Sequence, residues 1–290
     1  MFERLLVTTD LSDASENLIK CLGPLRKVGA REATLVHVAD IRDVGGLYVS
    51  LLKLLKPRLE HLEKILGEEG YITRVETPLG KPSVEINRFA VAGNYSIIVA
   101  GTHGESITKD ILLGSVVHGM LQEATKPILL LPFNVLAETE KERCQVLCGD
   151  FFRHVLFATD FSDTADMAFR YLRHIVETTK VETTLYHVQD MARIEPHLKD
   201  KLEEFNRVDL DRLERLKKEL DAAGAKAVHK SLECGRPAKK LVEKANSGNY
   251  SLLVMGNQGR GYMAEAFLGR VANHVVHHAH IPVLLVPMGT

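Results

Sequence analysis

At 290 residues, 45% hydrophobic and 26% charged, the chain has the composition of a soluble globular protein and the length of about two domains. A formal net charge of -1 leaves no electrostatic footprint for nucleic acid or an anionic membrane, so neither is expected as a partner. Four cysteines in unrelated places argue against a disulfide framework, and no apolar run reaches membrane-spanning length. With Glu3 and Arg4 at the opening strand, no leader is expected, and the expected location is a reducing cytoplasm.

Residues 4–9 predict the first strand, because Leu5-Leu6-Val7 is a continuous apolar run suited to a parallel strand covered on both faces. Asp10 stands at its carboxyl end. Residues 11–28 predict a helix with Ser12 or Asp13 as N-cap and Glu16 placed to close a capping box. A second strand is expected at 33–38, and then a long helix over 47–69 that Pro57 would kink or break. Strand 71–77, helix 82–92, strand 95–100, a glycine-punctuated loop, helix 116–125 and strand 128–131 complete the unit. Residues 136–150 are charged and irregular and read as a linker between domains at 1–135 and 151–290. The second domain repeats the series: strand 154–159, helix 163–178, strand 183–188, helix 196–223, strand 227–232, helix 238–245, strand 251–255, helix 271–278 and strand 283–286.

The repetition is visible in detail. Gly101-Thr102-His103-Gly104, nine residues and Gly114-Ser115 return as Gly256-Asn257-Gln258-Gly259, nine residues and Gly269-Arg270. Thr9-Asp10-Leu11-Ser12 returns as Thr159-Asp160-Phe161-Ser162, and Gly80-Lys81-Pro82 as Gly235-Arg236-Pro237. The chain is one domain written twice. Alternating strands and helices imply right-handed crossovers and a parallel sheet, whose ligands bind beyond the carboxyl ends of the strands. Asp10, Val38 and the loop at Gly101 all lie at such ends. Glycines there let a backbone approach a ligand, and the free N–H groups of the following helix suit a phosphate. Ser115 can cap that helix or donate to a phosphate oxygen.

Gly-x2-Gly-x9-Gly-Ser after the fourth strand, in a unit whose first strand ends in Thr-Asp-x-Ser, resembles the universal stress protein family in its tandem form. The resemblance implies two flavodoxin-like, adenine-nucleotide-hydrolase-like α/β domains, each a five-stranded parallel sheet of order 3-2-1-4-5 sandwiched by helices. It implies binding of ATP or a related adenine nucleotide, with magnesium, in a stress-response or regulatory role. Carried onto this sequence, Thr9 and Asp10 would meet the adenine or ribose and Val38 the base through its backbone. Gly101, His103, Gly104, Gly114, Ser115 and Val116 would meet ribose and phosphates. Thr159, Asp160, Val188, Gly256, Gly259, Gly269 and Arg270 are the corresponding residues of the second copy. Arg270 replaces the motif's Ser or Thr, and Asn257-Gln258 replaces Thr102-His103, so a weakened or altered second site is expected.

Rival readings stay open at this stage. The chain could be a dimerisation or partner-docking scaffold that binds no nucleotide, since its short fifth strands are edges that invite pairing. Through those strands the two copies are expected to meet as an intramolecular pseudo-dimer, with a homodimer as a further option. An adenylate-forming enzyme would want more cations at the loop than Lys109 supplies. No nucleophile–base set and no Gly-x4-Gly-Lys-Ser/Thr loop is legible, so at most slow ATP hydrolysis is expected. His274 and His278, four apart on a helix, are weak zinc candidates, and Cys144 and Cys148 a weak redox or metal pair.

Overall fold

Leu5, Leu6 and Val7 form the middle of β1 (Arg4–Thr8) and are each 0% exposed, as a strand covered on both faces requires. The computed structural model describes residues 1–40, 48–102, 113–132, 150–194, 201–260 and 268–288. These fall into two compact units, Met1–Gly149 and Asp150–Met288.

In the first unit β1 is joined by β2 (Glu32–Val36), β3 (Ala39–Asp40), β4 (Ile72–Glu76), β5 (Leu79–Gly80), β6 (Ile97–Gly101) and β7 (Ile128–Leu131). The main sheet runs β4-β2-β1-β6-β7, with its pairs parallel, which is the predicted order 3-2-1-4-5. Its helices are α1 (Asp13–Lys20), α2 (Tyr48–Glu68), α3 (Pro82–Ala92) and α4 (Ser115–Gln122). The second unit repeats the plan with β8 (His154–Ala158), β9 (Glu182–Asp190), β10 (Val228–Gly235), β11 (Leu252–Gly256) and β12 (Val283–Val286), in the order β10-β9-β8-β11-β12. Its helices are α5 (Asp163–Thr179), α6 (Met191–Ile194), α7 (Leu202–Ala222), α8 (Pro237–Ala245) and α9 (Arg270–His278). Among the described residues, no helix is long and apolar enough to cross a membrane.

Several local expectations are corrected. The helix expected over 11–28 stops at Lys20, and Gly23–Val28 is a 3-10 stretch, because Gly23-Pro24 interrupts the α-helical ladder. Glu16 closes no capping box: its carboxylate pairs with Lys20 at 2.8 Å and Arg58 at 2.9 Å, while the Ser12 N–H donates to Asp10. Pro57 leaves α2 unbroken; it sits on an exposed turn, where water can take the carbonyl it leaves free. Strands β9 and β10 run past their predicted ends and pair as far as Asp190 and Gly235. In the first unit the same ladder breaks after Val36 and resumes as the two-stranded β3–β5 pair. Cys21 is disulfide-bonded, contrary to the expectation of a chain without disulfides, and Cys234 is a free, exposed thiol. The expected linker lies outside the described residues except for Asp150.

Candidate functional site

Both units gather their marked residues at the carboxyl ends of the strands, where an open parallel sheet binds its ligands. In the first unit Thr9 continues the β1 ladder, its N–H donating to the Val36 carbonyl at 3.0 Å. Its hydroxyl accepts from the Leu11 N–H at 2.9 Å, and its carbonyl faces His37 Nδ1 at 3.0 Å. These contacts hold Leu11 in the left-handed region, φ 69°, and the turn they form presents Asp10.

One oxygen of Asp10, Oδ1, is fully used: it accepts from the Ser12 N–H at 3.1 Å and from the hydroxyls of Ser12 and Ser15 at 2.6 Å each. The other, Oδ2, is buried and has no hydrogen-bond partner among the described residues. Burial works against the charge on this carboxyl, but the hydrogen bonds from Ser12 and Ser15 outweigh it and hold the group below its usual value. Asp10 is thus a carboxylate with one oxygen pinned and the other, among the described residues, left without a donor.

Gly101 ends β6 and pairs with Leu131. The Gly114 N–H donates to the Thr102 carbonyl at 2.8 Å, and Gly114 is the N-cap of α4 with no side chain capping it. Ser115 is therefore the first residue of the helix and not its cap, and it stands with Val116 in the uncapped first turn. Val38 is buried just beyond β2. His103 and Gly104 lie outside the described residues.

The second unit keeps the scaffold and fills it differently. Asp160 Oδ1 accepts from the Ser162 N–H at 3.1 Å and its hydroxyl at 2.6 Å, as in the first copy, but Ala165 replaces Ser15. Asp160 Oδ2 is occupied, accepting from the Arg260 N–H at 2.8 Å. Gly259 lies so close that a Cβ there would sit 2.6 Å from Asp160 Oδ2. The Thr164 hydroxyl donates to the Gln258 carbonyl at 2.6 Å and ties the glycine loop to α5. Gly269 is an uncapped N-cap like Gly114, with Arg270 first in α9. Gly256 ends β11, and Val188 lies within the longer β9.

Around this second site stands a cluster that motif reading missed. Phe161, left-handed at φ 57°, lies 4.7 Å from the His187 ring and carries the guanidinium groups of Arg212 and Arg260 at 5.2 and 5.6 Å. His187 meets the Thr159 carbonyl at 2.7 Å through Nδ1 and the Asp209 carboxylate at 3.4 Å through Nε2. Gln189 donates to the same carboxylate at 3.0 Å. Burial pushes the His187 imidazole below its ordinary value, against the Thr159 carbonyl and Asp209, which favour its charge. The sequence signals were the changes from Leu11 to Phe161, Ala14 to Thr164 and Ser15 to Ala165 around the retained Thr-Asp-x-Ser-Asp.

His274 and His278 stack at 4.2 Å between ring centres, but His278 Nδ1 is engaged with the His274 carbonyl at 2.8 Å. Among the described residues, no group of three His, Cys, Asp or Glu side chains could hold a metal ion.

Comparison with known proteins agrees with the duplicated fold. A Mycolicibacterium smegmatis universal stress protein is 27% identical over 298 residues, covering 97% of this chain and 96% of its own. One from Methanocaldococcus jannaschii is 29% identical over 154 residues, covering 45% of this chain and 95% of its own. The crystal structure of a universal stress protein from Archaeoglobus fulgidus superposes with a TM-score of 0.76 at 27% identity, covering 99% of this chain and 98% of that one. The profile of the universal stress protein family matches residues 1–132 and again 151–287, and the chain belongs to that family.

Proposed function

We propose that this protein is a nucleotide-binding regulatory protein of the stress response that takes ATP or a related adenine nucleotide in its first unit. The observation that carries the reading is the buried Oδ2 of Asp10, unpartnered among the described residues, at the end of β1, whose neighbour β6 leads to Thr102 and the uncapped start of α4 at Gly114. A ribose hydroxyl donating to Oδ2 would satisfy the carboxylate, and the first-turn N–H groups at Ser115 and Val116 offer fixed positive partial charge to phosphates. A hydrogen bond to a charged group contributes about 1.5 to 3 kcal/mol, and its absence leaves a buried acceptor unsatisfied. Magnesium would accompany the triphosphate.

In the second unit the same positions are satisfied from within. Asp160 Oδ2 already holds the Arg260 N–H, and the Thr164–Gln258 bond draws the glycine loop onto α5. A nucleotide there would have to displace both contacts and gain a new one for each, which removes most of the advantage of binding. The second unit is therefore read as the weaker or silent site.

Calorimetric titration of ATP with magnesium tests this, using the unmodified chain beside Gly114→Asp and Gly269→Asp. Each substitution places a carboxylate at a helix N-terminus, where it repels phosphate; at Gly269 the added Cβ would crowd the Asn257 carbonyl at 3.1 Å and the Gln258 Cα at 3.2 Å, so circular dichroism checks that each variant keeps its helices. One binding event, lost with Gly114→Asp and kept with Gly269→Asp, is the expected result. An absence of binding by the unmodified, nucleotide-free protein would instead support the scaffold reading.

A further inference from the structure

The second unit carries a cleft at the opposite ends of its strands, where β8, β9 and β10 begin. Its volume is about 530 Å³, and its walls include Arg153, His154, His229, Lys230, Lys244 and Tyr250. The other three lining residues are two hydroxyls and an amide, so no carboxylate and no aliphatic side chain faces the space. Every wall residue can donate a hydrogen bond.

The first unit shows what the cleft replaces. There Arg4, the counterpart of His154, folds over the Tyr95 ring at 4.9 Å and donates to the Gly93 carbonyl. Phe89, the counterpart of Lys244, stacks on Tyr95 at 6.1 Å and completes the packing. In the second unit the aromatic survives as Tyr250, 4.7 Å from the His154 ring, but the shorter His154 and the slender Lys244 leave room above it. Glu3 becomes Arg153 and Val75 becomes Lys230, so an acidic and an apolar residue have both given way to cations. Two cations of the first copy, Arg4 and Arg74, are histidines here, His154 and His229, while three new cations, Arg153, Lys230 and Lys244, stand where the first copy has Glu3, Val75 and Phe89.

The carboxylates near the cleft pair with its basic residues, and Glu182 also lies 4.0 Å from His154. Glu214 pairs with Lys230 at 2.5 Å, Glu233 with Lys244 at 3.3 Å, and Glu182 with His229 at 2.9 Å. Such pairs fix the direction of long side chains while leaving each ammonium with further N–H bonds to give. Arg153 is exposed and has no ion pair among the described residues, so its guanidinium is free to take two oxygens of an oxyanion. Lys244 also reaches the Ser231 hydroxyl at 3.1 Å, which places a hydroxyl donor beside the ammonium.

We propose that this cleft binds the phosphate group of a small phosphorylated molecule, at a site separate from the nucleotide site and independent of it. A phosphomonoester dianion fits the walls: a guanidinium and two ammonium groups meet its charge, while the His229 imidazole, the Ser231 hydroxyl and the Asn249 amide meet its remaining lone pairs, and His154 Nε2 and the Thr184 hydroxyl hold each other at 2.9 Å.

The test uses the whole chain with isotope-labelled histidines and follows the ring signals of His154 and His229 by NMR. Glycerol phosphate, inorganic phosphate and sodium chloride are added in parallel at matched ionic strength. Saturable shifts at these two rings with glycerol phosphate, absent with chloride and absent at His274, His277 and His278, are the expected result. A tighter response to glycerol phosphate than to inorganic phosphate identifies an organic phosphate as the ligand class; equal responses identify the free ion. Lys244→Phe and Arg153→Glu each install the first unit's residue, which the fold already tolerates in that copy, and each should weaken the response about tenfold. Shifts that chloride reproduces, that never saturate, or that both variants leave intact would overturn the proposal.

Discussion

Asp10 and Asp160 are the same residue in two copies of one turn, and they end in different chemical states. Each pins Oδ1 with the serine two residues on. Beyond that, Asp10 gains the Ser15 hydroxyl and leaves Oδ2 without a partner among the described residues, whereas Asp160 spends Oδ2 on the Arg260 N–H. Duplication conserved the part of the turn that builds the fold, and the two copies diverge in the atom that would meet a ligand. Retention of a motif therefore reports the scaffold, and the partner of one carboxylate oxygen is what separates the two copies.

The sharpest way to break this comparison is to neutralise both carboxylates in turn. Asp10→Asn should lower ATP affinity by about 10- to 100-fold, the worth of one charged hydrogen bond, while Asp160→Asn should change it less than about twofold. Equal losses in calorimetry would show that the two sites are equivalent. Next, Ser15→Ala installs the second unit's alanine and removes a 2.6 Å donor from Asp10; chemical denaturation should report about 1.5 kcal/mol lost. The reverse change, Ala165→Ser, should cost nothing comparable.

The N-caps should behave alike. Ser12 accepts from the Ser15 N–H at 3.2 Å and Ser162 from the Ala165 N–H at 3.3 Å, so alanine at either should cost about 1 kcal/mol of stability. Titration should separate the units again. His187 and His154 are both held below 6.5, chiefly by burial. The unfolded chain then takes up protons first, so their contribution is full above pH 6.5 and is lost as the pH falls below it. Asp10, held below 3.8, keeps its contribution until the pH falls under that value. Amide exchange at pH 5 should accordingly rise in β8 and β9 before it rises in β1 and β2. At the small end, the exposed Lys56–Glu60 and Lys239–Glu243 pairs, at 3.6 and 3.7 Å, should each be worth less than about 0.5 kcal/mol in a double-mutant cycle.

Much of the fold was legible because its signals are local or periodic. Continuous apolar runs marked the inner strands, Ser12 and Ser162 marked two helix starts, and glycine spacing marked the strand-to-helix junctions. Errors came where the deciding contact is distant in sequence. Glu16 was read as a capping partner, but the Arg58 guanidinium, from another helix, takes it. Pro57 predicts a kink or a break, and α2 runs through it without a break, its exposed place making the missing bond cheap. Ser115 was read as a possible cap, and the backbone gives that place to Gly114.

The sequence by itself determined the duplication, the parallel α/β architecture and its strand order, and the place of Asp10 and Asp160 at strand ends, because periodicity and recurrence survive without coordinates. Only the tertiary structure decided how each carboxylate is partnered. That depends on Arg260 folding back to Asp160 and on the Phe161, His187 and Asp209 cluster closing beside it, and these contacts join residues far apart in the chain. A hydrogen bond is set by distances of tenths of an ångström, which spacing along a sequence does not encode.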